Sequence, residues 1–275
     1  MSTICPQDTA LHEPSMRAAR DAQLLEALSA PHLDDLGAAC AQPLRQRVAA
    51  GSALLHEGAP LTHVAVVQAG SFKSVKTADD GYEHVLGFAM RGDVLGYDAL
   101  ARGICPSAAI ALEDSFVLSL TPRQLETLRH RDARLDAALQ TALSAQLARS
   151  VELAELMSAV AADARMARFL LHWSARMVDL GLSPRRLRLR MNRRDIASHL
   201  GVAHETVSRS LGQLADEGCL RVANREVEIL DPDALRAHAY RTRGSGEEAP
   251  RRGTAAAPLR LVAARREPRL VAEAA

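Results

Sequence analysis

Residues 192–219 read NRRDIASHLGVAHETVSRSLGQLADEGC, and this stretch decides how the C-terminal part of the chain folds. Asn192 is a favoured helix N-cap, and Asp195 places a carboxylate in the first helical turn. The pattern predicts a helix over residues 193–200. Gly201 then supplies the positive φ angle that a tight turn between two helices needs. A second helix follows, so we predict a helix–turn–helix. Its buried positions are predicted to be Ile196, Ala197, Leu200, Val202, Val207, Leu211 and Leu214.

The second helix carries polar side chains that are predicted to point outward near its N-terminal end. They are His204, Glu205, Ser208 and Arg209, with Thr206 at the edge of the group. In a helix–turn–helix this end of the second helix enters the major groove of DNA. Arginine can donate two hydrogen bonds to guanine, and a carboxylate can accept one from cytosine N4. We therefore predict that Glu205, Ser208 and Arg209 read bases, with His204 and Thr206 at the edge of the contact. The alternative is an i,i+4 salt bridge between Glu205 and Arg209, which contributes about 0.3–0.5 kcal/mol.

Six arginines lie within the ten residues 185–194, beside and inside the first helix of the motif. Arginines in such a cluster neutralise DNA phosphates, which sets affinity and salt dependence but not sequence preference. We predict this role above all for Arg186, Arg193 and Arg194. The alternative is a solvated strand or loop.

The spacing of apolar residues changes twice in the part of the chain before this motif. Between about residues 47 and 120, short apolar runs alternate with glycines, which predicts an antiparallel sandwich or small barrel. From Pro122 the apolar spacing becomes helical, and residues 163–180 form a second amphipathic pattern. Two short strands around residues 223–225 predict a hairpin wing. The domains predicted for this α+β chain are an N-terminal tail (1–23), an antiparallel β-roll (24–121), a long dimerisation helix (122–160), a winged helix–turn–helix (161–240) and a disordered tail (241–275).

An apolar stripe runs along the long helix at alternating steps of four and three residues. Stripes of that length commonly face a partner helix, so we predict a homodimer through residues 128–160. The alternative is a helix packed on its own domain. Gln146 and Arg149 are polar interruptions that could fix the register of a dimer. The stripe consists of Leu135, Leu139, Ala142, Gln146, Arg149, Leu153, Leu156 and Val160.

The distribution of charge and the number of cysteines indicate which part of the chain binds a polyanion and in which compartment the protein acts. Residues 1–162 hold 13 Lys and Arg against 19 Asp and Glu, whereas residues 163–243 hold 15 against 10. Only residues 163–243 are therefore expected to bind a polyanion. No run of 18 apolar residues and no secretion signal is seen, which predicts no contact with a membrane. Four scattered cysteines without a C-x-x-C pair fit a cytoplasmic protein.

Cys219 follows the recognition helix, and two interpretations of it remain open. An exposed thiol at this place could be oxidised and could switch DNA binding off. A buried cysteine would act as a small apolar side chain.

The order of a glycine-rich β-roll, a long helix and a winged helix–turn–helix resembles the Crp/Fnr superfamily of bacterial transcription regulators. The resemblance covers about residues 24–240. It rests on GSALLHEGAP, QAGSFKSVK, FAMRGDVLGYDAL and PSAAIALEDS in a cyclic-nucleotide-binding-like jelly roll, and most specifically on DIASHLGVAHETVSRSLGQLADEGCL. The pattern E-x-x-S-R, formed by Glu205, Ser208 and Arg209, is similar to the Fnr type.

The resemblance implies a dimer that reads an inverted repeat close to TTGAT–N4–ATCAA on double-stranded DNA. It also implies that bound protein recruits or blocks RNA polymerase, and we expect an activator. The protein is not expected to be an enzyme.

The chain departs from the superfamily at its cofactor positions. Oxygen-sensing members hold an iron–sulfur cluster on four cysteines, three of them near the N-terminus, where this chain has only Cys5; the central position aligns with Leu118. Cyclic-AMP binders place an Arg-Ser pair and an acidic residue where Cys105-Pro106 and Tyr97 stand here. We predict neither an iron–sulfur cluster nor cyclic AMP, and haem is left open.

Two other functions are compatible with parts of the sequence. The β-roll could take haem, a nucleotide or another small molecule as its main task. It also resembles cupin-type metalloenzymes, but the H-x-H…E…H ligand set is missing. No catalytic residue or metal site is predicted. The scattered side chains that could ligate haem or metal, but lack ligand spacing, are Cys5, His12, His56, His63 and His84.

Overall fold

A computed structural model describes residues 43–157 and 161–240. The predictions made for residues 1–42, 158–160 and 241–275, including both tails, lie outside these ranges.

Antiparallel strands form two four-stranded sheets in the first part of the described chain. One sheet has the order β1-β8-β3-β6 and the other the order β2-β7-β4-β5, which confirms the predicted antiparallel β-roll. The strands are β1 (Leu44–Val48), β2 (Ala53–Leu55), β3 (Val64–Ala69), β4 (Phe72–Thr77), β5 (Glu83–Ala89), β6 (Val94–Leu95), β7 (Ala108–Ala111) and β8 (Ser115–Leu120).

Strand β3 is buried on both faces, and this explains why its apolar run does not alternate with polar residues. Successive side chains of a strand point to opposite faces. Val64 and Val66 pack with leucines of the following helices, whereas Ala65 and Val67 pack between the two sheets. The β-roll therefore has one core between its sheets and a second core under the helices.

Two helices, α1 (Pro122–Arg131) and α2 (Ala133–Met157), stand where one continuous helix was predicted. The single-helix prediction is wrong at Asp132, whose backbone is extended. The Asp132 carboxylate accepts a hydrogen bond from the Arg134 N–H at 2.8 Å, as an N-cap does, and so starts a new helix. Helix α1 begins with a capping box between Thr121 and Gln124.

The predicted dimer stripe of α2 packs on its own chain. Leu135 and Leu139 are buried in the β-roll core, and Leu156 is buried in the core of the C-terminal domain. The seam prediction is therefore wrong for this face, and the alternative of a helix packed on its own protein is confirmed for it. A different face of α2 is exposed, where Leu147 and Val151 are 69% and 65% accessible.

The C-terminal domain is built from helices and a three-stranded antiparallel sheet of order β10-β11-β9. Helix α3 was predicted over 163–180 and begins and ends one residue earlier. The elements are α3 (Ala162–Asp179), β9 (Arg186–Arg188), α4 (Arg193–Leu200), α5 (His204–Asp216), β10 (Leu220–Ala223), β11 (Glu226–Ile229) and α6 (Pro232–Tyr240).

Helix α6 was not predicted, although Asp231-Pro232 combines a capping residue with a proline at the first helical position. The Asp231 carboxylate accepts hydrogen bonds from the backbone N–H groups of Asp233 and Ala234, both at 3.0 Å. His238 holds the helix in place. Its two ring nitrogens lie 2.7 Å from Asp163 Oδ2 and 2.9 Å from Glu217 Oε2, so α6 is tied to both α3 and the end of α5.

Gly201 and Gly212 provide a matched test of the predicted turn. Gly201 has φ +63°, and a Cβ there would lie 2.9 Å from Met157 Cε, whereas a Cβ on Gly212 inside α5 meets nothing within 4 Å. We expect Gly201→Ala to lower the free energy of unfolding by about 1 kcal/mol or more, and Gly212→Ala to raise it by about 0.5–1 kcal/mol. Urea unfolding of the two variants measures both. An equal effect of the same sign in both variants would contradict the assignment of the turn.

Candidate nucleic-acid interface

The first helix of the motif, α4, begins after the predicted N-cap, Asn192, which forms a capping box with Asp195. The Asn192 side chain accepts a hydrogen bond from the Asp195 N–H at 2.8 Å, and Asp195 Oδ2 accepts one from the Asn192 N–H at 3.0 Å. Ile196, Ala197 and Leu200 are buried as predicted. The start of α4 is thereby fixed by two reciprocal hydrogen bonds.

The turn between α4 and α5 is formed by Gly201, whose φ of +63° and ψ of +41° are left-handed. The Val202 N–H donates to the Ala197 carbonyl at 3.0 Å, which closes the turn. Helix α5 then begins at His204, and the side chain of its N-cap residue, Ala203, makes no capping hydrogen bond.

Helix α5 separates a buried face from an exposed one. Val207, Leu211 and Leu214 lie in the domain core. On the other side, the structure brings the predicted base-reading residues together. His204, Glu205, Ser208 and Arg209 are exposed and Thr206 is half-buried.

Glu205 and Arg209 do not form the salt bridge that was the alternative to base reading, in the part of the chain that the structure describes. Arg209 Nη2 donates to Thr206 Oγ1 at 3.1 Å, and Glu205 Oε1 lies 3.2 Å from His204 Nδ1. The acid and the base therefore keep free hydrogen-bonding capacity toward solvent. Thr206 orients the guanidinium from the preceding turn.

The arginines of residues 185–194 divide into different roles. Arg186 and Arg194 are exposed, and Arg186 Nε lies 3.8 Å from Glu228 Oε1. Arg193 donates to the Asn224 carbonyl at 2.8 Å, and burial lowers its pKa from the usual range. Arg193 thus joins α4 to the hairpin turn, a structural contact that the phosphate-binding prediction did not include.

The predicted hairpin wing is confirmed as β10 and β11, joined by Asn224 and Arg225. Asn224 has a φ of +55°, which asparagine tolerates in tight hairpin turns. Arg225 Nη1 donates to the Arg190 carbonyl at 3.2 Å, and Leu189 N–H donates to the Arg225 carbonyl at 2.8 Å. The wing is therefore attached to the arginine-rich strand beside the motif.

Helix α4 rests against strands β4 and β5 of the β-roll, and the bonds below come from α4 and not from α5. Lys73 Nζ lies 2.7 Å from Asp195 Oδ1. Ser198 Oγ accepts from the Val85 N–H and donates to the Glu83 carbonyl, each at 2.9 Å. This leaves the base-reading face of α5 open.

A second contact between the domains centres on Asp93, which is buried beside β6. Its carboxylate bonds to Arg149 of α2 and to Arg176 of α3. Burial lowers the pKa of Arg176 to about 10, so this guanidinium remains charged at neutral pH. Arg176 also donates to the Phe88 carbonyl at 2.8 Å. The sequence did not predict this cluster, because its residues meet only through the fold. Arg149, which was expected to fix the register of a dimer, pairs with Asp93 of its own chain.

Cys219 is 2% exposed and lies in the core of the C-terminal domain. The hypothesis of an accessible redox switch is therefore wrong for this structure, and the buried interpretation holds. Cys105 is also buried, and burial together with Asp98 raises the pKa of its thiol.

Residues 43–157 and 161–240 contain neither a metal-binding cluster nor a membrane-spanning helix. No group of three or more His, Cys, Asp or Glu side chains there is placed to hold a metal ion, and His56, His63 and His84 stay apart. None of the helices in these ranges is both long and apolar enough to cross a membrane. Cys5 and His12 lie outside the described residues.

Comparison with known proteins places this geometry in a family. Residues 164–238 match the Crp-like helix-turn-helix domain, and residues 45–132 match the cyclic nucleotide-binding domain. The fumarate and nitrate reduction regulatory protein of Salmonella typhimurium is 34% identical over 193 residues, covering 70% of this chain and 77% of that protein. This chain belongs to the Crp/Fnr superfamily. It is a DNA-binding transcription regulator.

Other members of the Crp/Fnr superfamily are similar in sequence or in fold. The fumarate nitrate reduction regulatory protein of Klebsiella oxytoca is 33% identical over 185 residues, covering 67% of this chain and 74% of that protein. The structure of FixK2 from Bradyrhizobium japonicum is 27% identical with a TM-score of 0.63, covering 70% of this chain and 96% of that one. A CRP-family transcriptional regulator from Thermus thermophilus, 24% identical with a TM-score of 0.58 and the same coverage, shares the fold.

The contact between α4 and β5 can be tested by hydrogen exchange. Ser198→Ala removes the acceptor of the Val85 N–H, so this amide should exchange about fivefold faster, which corresponds to about 1 kcal/mol. Ser208→Ala, on the exposed face of α5, is the matched control and should leave Val85 unchanged. Exchange is followed by mass spectrometry of the DNA-free protein. Equal Val85 protection in both variants would show that α4 is not held against β5.

Proposed function

We propose that this regulator acts as a homodimer that reads an Fnr-like inverted repeat, close to TTGAT–N4–ATCAA. The observation that supports the proposal is that Glu205, Ser208 and Arg209 are all exposed at the N-terminal end of α5. Glu205 and Arg209 do not form an ion pair with each other there.

The base contacts follow from the chemistry of these side chains. The Arg209 guanidinium can donate two parallel hydrogen bonds to the O6 and N7 atoms of guanine. The Glu205 carboxylate can accept from cytosine N4, and Ser208 lies one turn along the same face. A well-placed bidentate pair discriminates between bases by about 1–3 kcal/mol. Arg186 and Arg194 add sequence-independent attraction to phosphates.

The dimer is proposed to form through the exposed face of α2 and not through the stripe first predicted. Ser144, Leu147, Val151 and Ala154 are all exposed and follow one another at steps of three and four residues. That spacing is the seam of a two-stranded coiled coil. A twofold pairing would place two copies of α5 to meet half-sites one helical turn, or about 34 Å, apart.

Membership of the superfamily supports a proposal for the effect of DNA binding. We propose that the bound dimer acts in the cytoplasm, where it recruits or blocks RNA polymerase, and that activation is the main effect. It does so without catalysing a reaction.

Base reading is tested by comparing Arg209→Ala with Arg186→Ala. Arg209→Ala should lose discrimination at the G·C pair of the half-site by about 1–3 kcal/mol, while Arg186→Ala should weaken binding to all sequences and flatten the salt slope. Selection of bound fragments from random DNA, followed by titration at several salt concentrations, measures both effects. A sequence-blind loss of the same size in both variants would overturn the assignment.

The dimer face is tested by placing a charge on it. Leu147→Glu should shift the protein from dimer to monomer and reduce operator binding at least tenfold, because two like charges would meet in an apolar seam. Leu182→Glu is the matched control, since Leu182 is an exposed leucine in the loop after α3. Analytical ultracentrifugation measures the oligomeric state. A parent protein that sediments as a monomer contradicts the proposed seam.

A further inference from the structure

Arg190 lies between the hairpin wing and the first helix of the motif. Its carbonyl accepts a hydrogen bond from Arg225 of the hairpin turn at 3.2 Å, and α4 begins three residues later, at Arg193. In a helix–turn–helix the first helix crosses the DNA backbone. An arginine just before that helix is therefore well placed to bind a phosphate, as is expected of the other arginines in residues 185–194.

The guanidinium of Arg190 is bound to the β-roll. Its Nε lies 3.1 Å from Oε2 of Glu113, which stands in the turn between β7 and β8. The two side chains are 34% and 27% exposed, so solvent and salt screen this pair less than an ion pair on the open surface. By contrast, Arg186 and Arg194 of the same segment are exposed.

Glu113 is positioned by hydrogen bonds within the β-roll. Its second oxygen, Oε1, accepts a hydrogen bond from Ser71 Oγ at 2.9 Å. Ser71 is itself buried, and its backbone N–H donates to Ser115 Oγ at 3.2 Å. Ser115 Oγ donates to the Glu113 carbonyl at 2.8 Å. One carboxylate oxygen is thus used inside the β-roll, and the other meets a guanidinium that would equally bind a phosphate.

A second ion pair across the same domain contact has the opposite polarity. There the β-roll supplies the base, Lys73, and α4 supplies the acid, Asp195, with 2.7 Å between Nζ and Oδ1. Two pairs of opposite polarity fix the register of two surfaces, because a shifted register would bring like charges together. The pair of Arg190 with Glu113 therefore belongs to the docked arrangement of the domains.

We propose that Arg190 is a further phosphate-binding residue of this regulator and that Glu113 masks it. While the pair is intact, the carboxylate occupies the guanidinium in place of a DNA phosphate. When the pair is broken, Arg190 adds one phosphate contact for each chain bound to DNA. The proposal rests on DNA binding by this chain, and not on the operator sequence or on the dimer seam.

The salt dependence of DNA binding measures the number of phosphate contacts. Each phosphate that the protein neutralises on duplex DNA makes the slope of log K against log salt steeper by about 0.9. The probe is a short duplex without the inverted repeat, titrated with the full-length protein at about 50 to 200 mM salt. Such a duplex reports contacts to phosphates and not the reading of bases.

Glu113→Gln removes the charge of the mask and keeps an acceptor for Ser71. We expect the slope to become steeper by about 0.9 for each chain bound. Between 50 and 200 mM salt this variant should therefore lose about 3.5-fold more affinity than the parent protein. Thermal unfolding checks that the variant is folded.

Asp114→Asn is the matched control for the loss of one negative charge. Asp114 is the next residue along the chain, but its carboxylate accepts a hydrogen bond from Arg47 of the β-roll at 2.6 Å. This substitution releases no arginine of the DNA-binding domain. The slope should therefore equal that of the parent protein.

Arg190→Ala identifies the arginine that is released. In the parent background it should change the slope little, because Glu113 already occupies the guanidinium. In the Glu113→Gln background it should return the slope to the parent value. The four proteins form a double-mutant cycle, which isolates the coupling between the two residues.

Three results would overturn the proposal. An unchanged slope in Glu113→Gln would show that no phosphate contact is gained. An equal increase in Asp114→Asn would show that the total charge of the β-roll, and not the mask, sets the slope. A flattening by Arg190→Ala that is as large in the parent as in Glu113→Gln would show that Arg190 binds a phosphate with Glu113 present. Failure of the proposed base reading would alter none of these three measurements, because the duplex lacks the inverted repeat.

Discussion

A single buried carboxylate, that of Asp93, connects the three main parts of this regulator. It lies beside β6 in the β-roll and bonds to Arg149 of the long helix and to Arg176 of the DNA-binding domain. Its Oδ2 also accepts the Met90 N–H at 2.7 Å. Burying one acid with two bases is tolerable only when the hydrogen bonds are well formed, so these groups fix the positions of their elements closely. The relative placement of the domains depends on this cluster.

The helix–turn–helix could be predicted from the sequence because its special positions are local. Asn192 with Asp195, and Gly201 with its positive φ, each require a particular residue type at a fixed spacing, and the structure has the elements where those signals put them. Helix α6 could have been found in the same way, from Asp231-Pro232. By contrast, the contact of Lys73 with Asp195 joins residues 122 positions apart, and no local pattern encodes it.

In the long helix α2, the helical spacing of the apolar residues was predicted correctly, but this spacing did not determine which face packs on the rest of the chain. Its leucines at 135, 139 and 156 repeat as a seam does, but they are used inside the chain, and Leu147 and Val151 lie on another face. Two stripes of the same period run along one helix, and spacing alone does not say which one meets solvent. The arginines pose the same difficulty: composition predicts a basic domain, but only the fold separates the exposed Arg186 from Arg193, which bonds to the hairpin turn.

The two carboxylate oxygen atoms of Asp195 accept hydrogen bonds from different parts of the protein. Oδ1 accepts a hydrogen bond from Lys73 of the β-roll, whereas Oδ2 accepts one from the Asn192 N–H at the start of α4. Separating the domains breaks the first bond and leaves the second intact, so the helix start survives the separation. The capping box of α4 therefore does not depend on the β-roll, because both of its hydrogen bonds lie between Asn192 and Asp195.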